Sequence, residues 1–379
     1  MKFKHTGKHK FNFVLILLPS VWAVGCGLFD SGSEEPVTCA NAVIEEWTYL
    51  GLGDEIVQTI AINPGNSAHI MVGTSQDFSA GTQGKIFRST DCGNTWQQVW
   101  EGGSVSRVVF DPKDPEIVYA SPHGMIRSED GGKTWAIIDE GLAPYLNFTQ
   151  RVTSVAVDPQ DPRRIYSSTA GFGAGWLFYS DNRGNNWHPV PGRGDLERNI
   201  DDNRALNNGI GSPILINPSN TDELFVSTSI NFDFLQSMDR GNSWYRKAFH
   251  DSGNPVHPIV FDPSNTTIYG MVRHFEGYFE GGLFQYNLFD DTWDIRPVPD
   301  NLEYNTVALG FLASTGSLAV GYGGGVYIRE AENSWVSITD NLSDGYVRSM
   351  HVYGDLIYVG LSPNNTTYDN GGLYVRSHN

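Results

Sequence analysis

The chain is 379 residues long, 40% apolar and 12% aromatic, with 42 glycines, 19 prolines and a formal charge of −18. Such a composition excludes a disordered chain and favours many short elements joined by turns. The acidity excludes nucleic acid and anionic lipid heads as partners, and otherwise fits an exported protein that must stay soluble.

Lys2, Lys4, Lys8 and Lys10 form a basic head before an apolar run from Phe11 to Trp22, and "AVGC" follows, ending at Cys26. The run is short for a bilayer span, and the order of basic, apolar and small residues is that of an export signal. It resembles a bacterial lipoprotein signal. The resemblance implies that residues 1–25 are removed, that Cys26 carries lipid, and that the mature chain is anchored to a bacterial membrane, facing the periplasm or the cell surface. Residues 26–44 are rich in Gly, Ser and Glu and lack periodicity, so they read as a tether. Residues 45–379 read as one folded domain.

Within that domain one phrase recurs: "STDCGNTW" (89–96), "SEDGGKTW" (128–135), "SDNRGNNW" (180–187) and "SMDRGNSW" (237–244), with worn copies ending at Trp293 and Trp335. A short β-branched or aromatic segment precedes each copy. Further upstream lies a pair of strand-like runs around an Asp-Pro or Asn-Pro turn, as in "VVFDPKDPEIVYAS", where proline presets the backbone and the preceding side chain bonds nearby amides. A glycine turn replaces that turn in the last two units. The count is seven units of four strands, which predicts an all-β, seven-bladed β-propeller of four-stranded blades. The seventh unit stops at "GGLYVRS" (371–377), before any tryptophan arrives, while "EEWTYL" (45–50) supplies Trp47 without a unit of its own. The N-terminal strand is therefore expected to pair into the last blade and close the ring, covering an edge that would otherwise be open.

The recurrent phrase falls at the turn between third and fourth strands. There Asp91, Asp130 and Asp239 are placed to accept backbone amides, a glycine takes a positive φ, and Trp96, Trp135, Trp187 and Trp244 pack beneath. These residues read as a structural clasp. Their pattern, S-x-D-x-G-x-T-W, resembles the Asp-box of the bacterial neuraminidase repeat. That resemblance covers residues 45–377 and sets the domain beside the propellers of sialidases, sortilin, xyloglucan-type glycosidases and photosystem II assembly factors. It implies the fold, while the activities of the group diverge and must be sought in the loops.

The loops between second and third strands, and those joining blades, share the face opposite the clasps. They carry Phe172, Phe232, Phe234, Phe275, Tyr278, Phe279 and Tyr368 near Asp77, Asp233, Glu276 and Glu280; the longest insertion, residues 191–212, adds Asp195, Asp201 and Asp202. Rings beside carboxylates suit a glycan or a peptide, the rings stacking on apolar faces and the acids bonding hydroxyls or cations. A second candidate is a polar ring at the mouth of the central channel, formed by Gln58, Ser106, Thr153, Ser212, His257, Asn305 and Arg348, which would hold a small ligand or a file of water. "NIDDNRALNNG" (199–209) is rich in oxygen ligands for calcium but lacks EF-hand spacing, and no metal site or cofactor is assigned. Cys39 and Cys92 fall on the clasp side of neighbouring blades, where a disulfide would pin the N-terminal strand.

No phosphate loop, serine-triad signature or zinc helix is present, and no spacing pairs two carboxyls. The expectation is a monomeric, lipid-anchored propeller that binds a protein or glycan through its loop face without catalysis. The alternative is a glycoside hydrolase or lyase that uses Asp77, Asp195, Asp201, Asp202, Glu276 or Glu280.

Overall fold

The computed structural model describes residues 39, 46–77, 81–146, 151–170, 176–190, 213–227, 234–247, 256–272, 281–299, 302, 306–363 and 371–378; the signal-like segment, Cys26 and most of the tether lie outside them. Seven antiparallel four-stranded sheets follow one another along the chain, spanning residues 57–102, 108–137, 151–189, 215–247, 256–296, 306–337 and 346–377. They form the blades of a propeller, each with its first strand innermost. The seventh sheet takes its outermost strand from the other end of the chain, Thr48 pairing with Val375 and Tyr49 with Tyr374.

Both faces of each sheet are apolar, so the core is divided among seven seams between adjacent blades. One clasp tryptophan belongs to each seam: Trp47 between the sixth and seventh blades, Trp96 between the seventh and first, then Trp135, Trp187, Trp244, Trp293 and Trp335 in order round the ring. Three of them also bond backward. The indole N–H groups of Trp47, Trp96 and Trp187 donate to the Ile338, Leu50 and Ile138 carbonyls of the preceding blade, at 2.6, 2.7 and 2.7 Å. The tryptophan thus joins blade to blade as well as filling space beneath its own turn.

The clasp geometry repeats closely. Ser128 Oγ donates to Asp130 Oδ1 (2.7 Å) and accepts from Gly132 N (2.8 Å), while Asp130 accepts from Thr134 N (2.9 Å) and Thr134 Oγ1 (2.6 Å). The same bonds recur about Asp91 and Asp239, and Asn182 takes the position in the third blade. The glycines take the expected positive φ, and so does the residue before each: Cys92, Gly131, Arg183 and Arg240, at 58–67°. Three of those four are not glycine, and their strain is held by bonds on both sides. Their N–H groups donate to Ala68, Glu116, Arg163 and Asp222 of the same blade. In the second to fourth blades their carbonyls accept from an arginine of the preceding one: Arg88 Nε to Gly131 O (2.8 Å), Arg127 Nη1 to Arg183 O (2.6 Å), Arg164 Nη2 to Arg240 O (3.1 Å).

The first clasp is held differently. Arg376, which occupies the corresponding strand position in the seventh blade, turns to Ile338 O (3.0 Å). Cys92 is instead bonded covalently to Cys39, with Cα atoms 5.7 Å apart across 53 residues of chain. A cross-link of this kind contributes about 2–4 kcal/mol.

Two consequences are measurable. Trp187→Ala removes a nearly fully buried ring and its bond to Ile138, and should lower stability by about 3–5 kcal/mol in urea unfolding; Trp187→Phe should lose far less. His69 is buried, and desolvation together with the Arg88 charge lowers its pKa to about 4. The unfolded chain therefore binds this proton more tightly, so stability is full above pH 6.5 and falls as pH drops toward 4, by up to about 1.4 kcal/mol per pH unit. In His69→Gln that share of the slope should vanish from unfolding midpoints measured between pH 7.5 and 4.5.

Candidate functional site

Innermost strands begin on the loop face, and five of them open with a register shift, at Gln58, Thr153, the His257–Pro258 pair, Val307 and Arg348. A bulge re-aims its extra residue: Thr153 Oγ1 lies 3.3 Å from Ser168 Oγ and Arg348 Nε donates to Ser362 Oγ, each on the second strand of its own blade. The polar ring expected from the sequence is thereby corrected in the sixth blade, where the position belongs to Val307 and not to Asn305. Thr306 there takes the place that Val57, Val152, Val256 and Val347 hold elsewhere, its hydroxyl bonded to Leu302 O at 2.7 Å. A polar residue at an apolar position displaced the frame by two. Ser212 and Asn305 lie outside the described residues.

Of the named carboxylates, Asp77 alone is described; Asp195, Asp201, Asp202, Asp233, Glu276 and Glu280 lie outside the described residues, as do the residues of the calcium candidate. Asp77 stands on the loop between second and third strands of the first blade, and that loop is fastened at its base. Ser75 N donates to Ile56 O (2.9 Å), Gln76 N to Ser104 Oγ (2.9 Å), and Asp77 and Thr82 exchange backbone bonds of 3.2 and 2.9 Å. Glu55 lies at the foot of the same loop, paired with Lys85 Nζ (2.5 Å) and accepting from Thr74 Oγ1 (3.2 Å).

The rings divide similarly. Phe172, Phe232, Phe275, Tyr278, Phe279 and Tyr368 lie outside the described residues. Phe234 is described, and its assignment to a ligand surface is corrected: it is fully buried in the seam between the fourth and fifth blades, stacked on Phe225 at 5.7 Å and edge-on to Phe284 and Tyr286. It is the first residue of its strand, and strand alternation sends it to the core while Phe232 precedes the strand. Sequence reasoning missed another pair on the loop face. Tyr145, in the turn Ala143–Tyr145, meets Trp176 with ring centroids 5.2 Å apart, and both rest on the seam between second and third blades. Asp139 lies at the start of the same connection, over the bare backbone of Gly124, and its carboxylate accepts no hydrogen bond among the described residues. Arg348, exposed at the start of the innermost strand of the seventh blade, donates to Ser362 Oγ at 3.2 Å.

Clasp carboxylates differ sharply from these. Burial opposes ionisation of Asp130, but bonds from Thr134, Ser128 and Lys133 outweigh it and lower the pKa to about 2. Such a group is a committed acceptor and takes no part in proton transfer near neutral pH.

No protein-family model matches the chain. Among curated proteins it is similar to the oligoxyloglucan-reducing end-specific xyloglucanase of Emericella nidulans, at 24% identity over 65% of this chain and 34% of that protein. A xyloglucanase of Paenibacillus sp is 29% identical over 71% of this chain and 23% of its own length. The chain thus spans 34% and 23% of the length of these relatives. Solved structures with the same fold include the GH74 xyloglucanase from Xanthomonas campestris (TM-score 0.62, 15% identity, 88% of this chain and 53% of that one) and YCF48 from Cyanidioschyzon merolae (TM-score 0.61, 17% identity, 88% and 98%). The expectation of a non-catalytic module is corrected by these relatives, whose names are those of glycosidases. It had leaned on the lack of a recognisable motif, and loop carboxylates that act together carry no fixed spacing in sequence.

Phe234→Ala should behave as a core truncation, lowering the urea midpoint by the equivalent of about 3–5 kcal/mol. A change within about 0.5 kcal/mol would return Phe234 to the surface.

Proposed function

We propose that the protein is a glycoside hydrolase whose loop face takes xyloglucan-type polysaccharide. The observation that carries the reading is the similarity, over 59 to 71% of this chain, to three proteins named as xyloglucanases. The loop face supports it chemically. The Tyr145–Trp176 pair offers ring surface of the kind that stacks on the apolar face of a sugar, and Asp77 stands at the hydrogen-bonded base of its loop. Hydrolysis of a glycosidic bond needs one carboxyl group to protonate the departing oxygen and a second to activate water or attack the anomeric carbon. Asp77 is assigned to this pair, with its partner among Asp139, Asp195, Asp201, Asp202, Glu276 and Glu280.

The same reading makes the clasps Asp-boxes that hold the ring while the loops vary. Lipid on Cys26 and the tether over 26–44 would keep a monomeric, exported ring within reach of both a membrane and a soluble glycan.

Reducing-end release by the purified chain over a panel of polysaccharides tests the proposal. Release should be greatest on xyloglucan, and Asp77→Asn should lower turnover by roughly a hundredfold or more while retaining substrate binding. No release on any polysaccharide, or undiminished release after each named carboxylate is replaced in turn by its amide, would sink it.

A further inference from the structure

The connection from the second blade to the third fixes where one carboxylate lies. Ile138 N donates to Met125 O (2.9 Å), and Leu142 N and Ala143 N both donate to Asp139 O (2.9 and 3.0 Å), so the backbone is gripped on either side of Asp139. Its side chain rests against Gly124. A Cβ on Gly124 would stand 3.1 Å from Asp139 Oδ2 and 3.3 Å from Leu146 Cδ1, and so would crowd both. The glycine thus gives the carboxylate its seat. Asp139 is half-buried, and its carboxylate accepts no hydrogen bond among the described residues. A carboxylate partly withdrawn from water and left without a donor is costly, and a ligand that brings donors recovers that cost.

Leu146 leads from that seat to the rings, since Tyr145, Leu146 and Trp176 all pack against one seam. Tyr145 and Trp176 stand 5.2 Å apart with planes inclined at 58°, and the fully buried Phe178 props Tyr145 edge-on at 4.9 Å. Trp176 is tied at its backbone: its N–H donates to Thr169 Oγ1 (3.1 Å) and its carbonyl accepts from Thr169 N (2.8 Å). Both rings are half-buried, so each is held at its root and keeps part of its surface in solvent. Rings already held bind a ligand at less cost in entropy than rings that must first be ordered.

We propose that Trp176, Tyr145 and Asp139 form a subsite for one all-equatorial pyranose unit, its flat C–H face on a ring and its edge hydroxyls donated to Asp139. The proposal rests on the glycosidase reading and gives that reading a sugar configuration. Glucosyl and xylosyl units carry every hydroxyl at the edge, so both faces are free to stack, whereas the axial hydroxyl of a mannosyl unit sets a polar group on one face. The glycosidase reading also selects a sugar over an alkylammonium ion, which two rings and an acid would otherwise suit. Gly124 belongs to the subsite as its floor, because it alone leaves the carboxylate room to lie there.

The test titrates the full chain in detergent with cellotetraose and, separately, with mannotetraose and choline, and reads binding by calorimetry and tryptophan emission. The expected result is saturable binding of cellotetraose, with a change in emission, and none of the other two. Trp176→Ala and Asp139→Ala should each weaken it about tenfold, and Gly124→Ala should weaken it several-fold through the displaced carboxylate, while Trp176→Phe keeps most of the affinity. Asp139→Ala removes no side-chain hydrogen bond among the described residues, so that arm decides if Trp176→Ala fails to fold. Absence of saturable cellotetraose binding overturns the proposal, as does affinity undiminished in Asp139→Ala. Tighter binding of choline overturns it and assigns the site to a cation, and equal binding of mannotetraose overturns it as well. Reducing-end release from xyloglucan without cellotetraose binding would sink the subsite and spare the glycosidase; binding without release from any polysaccharide would do the reverse.

Discussion

A four-stranded sheet that is apolar on both faces cannot stand alone in water, and every other feature of this protein answers that constraint. Seven such sheets each bury two faces only if all seven seams are filled, so the tryptophans, the arginine staples and the disulfide hold neighbouring blades in register. The hydroxyls of the innermost strands do likewise: Thr59 Oγ1 accepts from Val108 N of the next blade (3.3 Å), Ser154 Oγ from Ile214 N (3.3 Å), and Ser349 Oγ donates to Val57 O (2.9 Å). Hydrogen bonds at both ends of a blade leave little freedom to slide. The seventh-to-first seam, made by chain ends, is where a covalent bond replaces the guanidinium.

What could be read from sequence was local. The clasp spans eight residues, so serine, aspartate, glycine and tryptophan appear together and announce the turn; repetition then gave the blade count, and Trp47 disclosed where the missing strand came from. What could not be read was carried by distant pairs. Arg127 and the Arg183 carbonyl are 56 residues apart, and nothing in "IRS" marks its arginine as the donor to the next blade's turn. The left-handed backbone of Cys92, Arg183 and Arg240 was equally hidden, because the strain is held from both sides, by the strand turn and by the arginine staple or, at Cys92, the disulfide. Asn305 and Phe234 failed for related reasons. One depended on Thr306 filling an apolar position, the other on where a strand begins.

The division between scaffold and function also explains why the activity was harder to read than the fold. Scaffold carboxylates are saturated: Asp130 accepts four hydrogen bonds, and its proton affinity falls accordingly. A carboxylate that takes part in acid–base chemistry must instead keep its lone pairs for substrate or water, and so appears in sequence as an isolated Asp or Glu with no companions. Asp139, whose carboxylate accepts no hydrogen bond among the described residues, keeps its lone pairs in this way. The lack of a motif is therefore weak evidence against catalysis in a propeller, whereas an intact clasp is strong evidence for the ring.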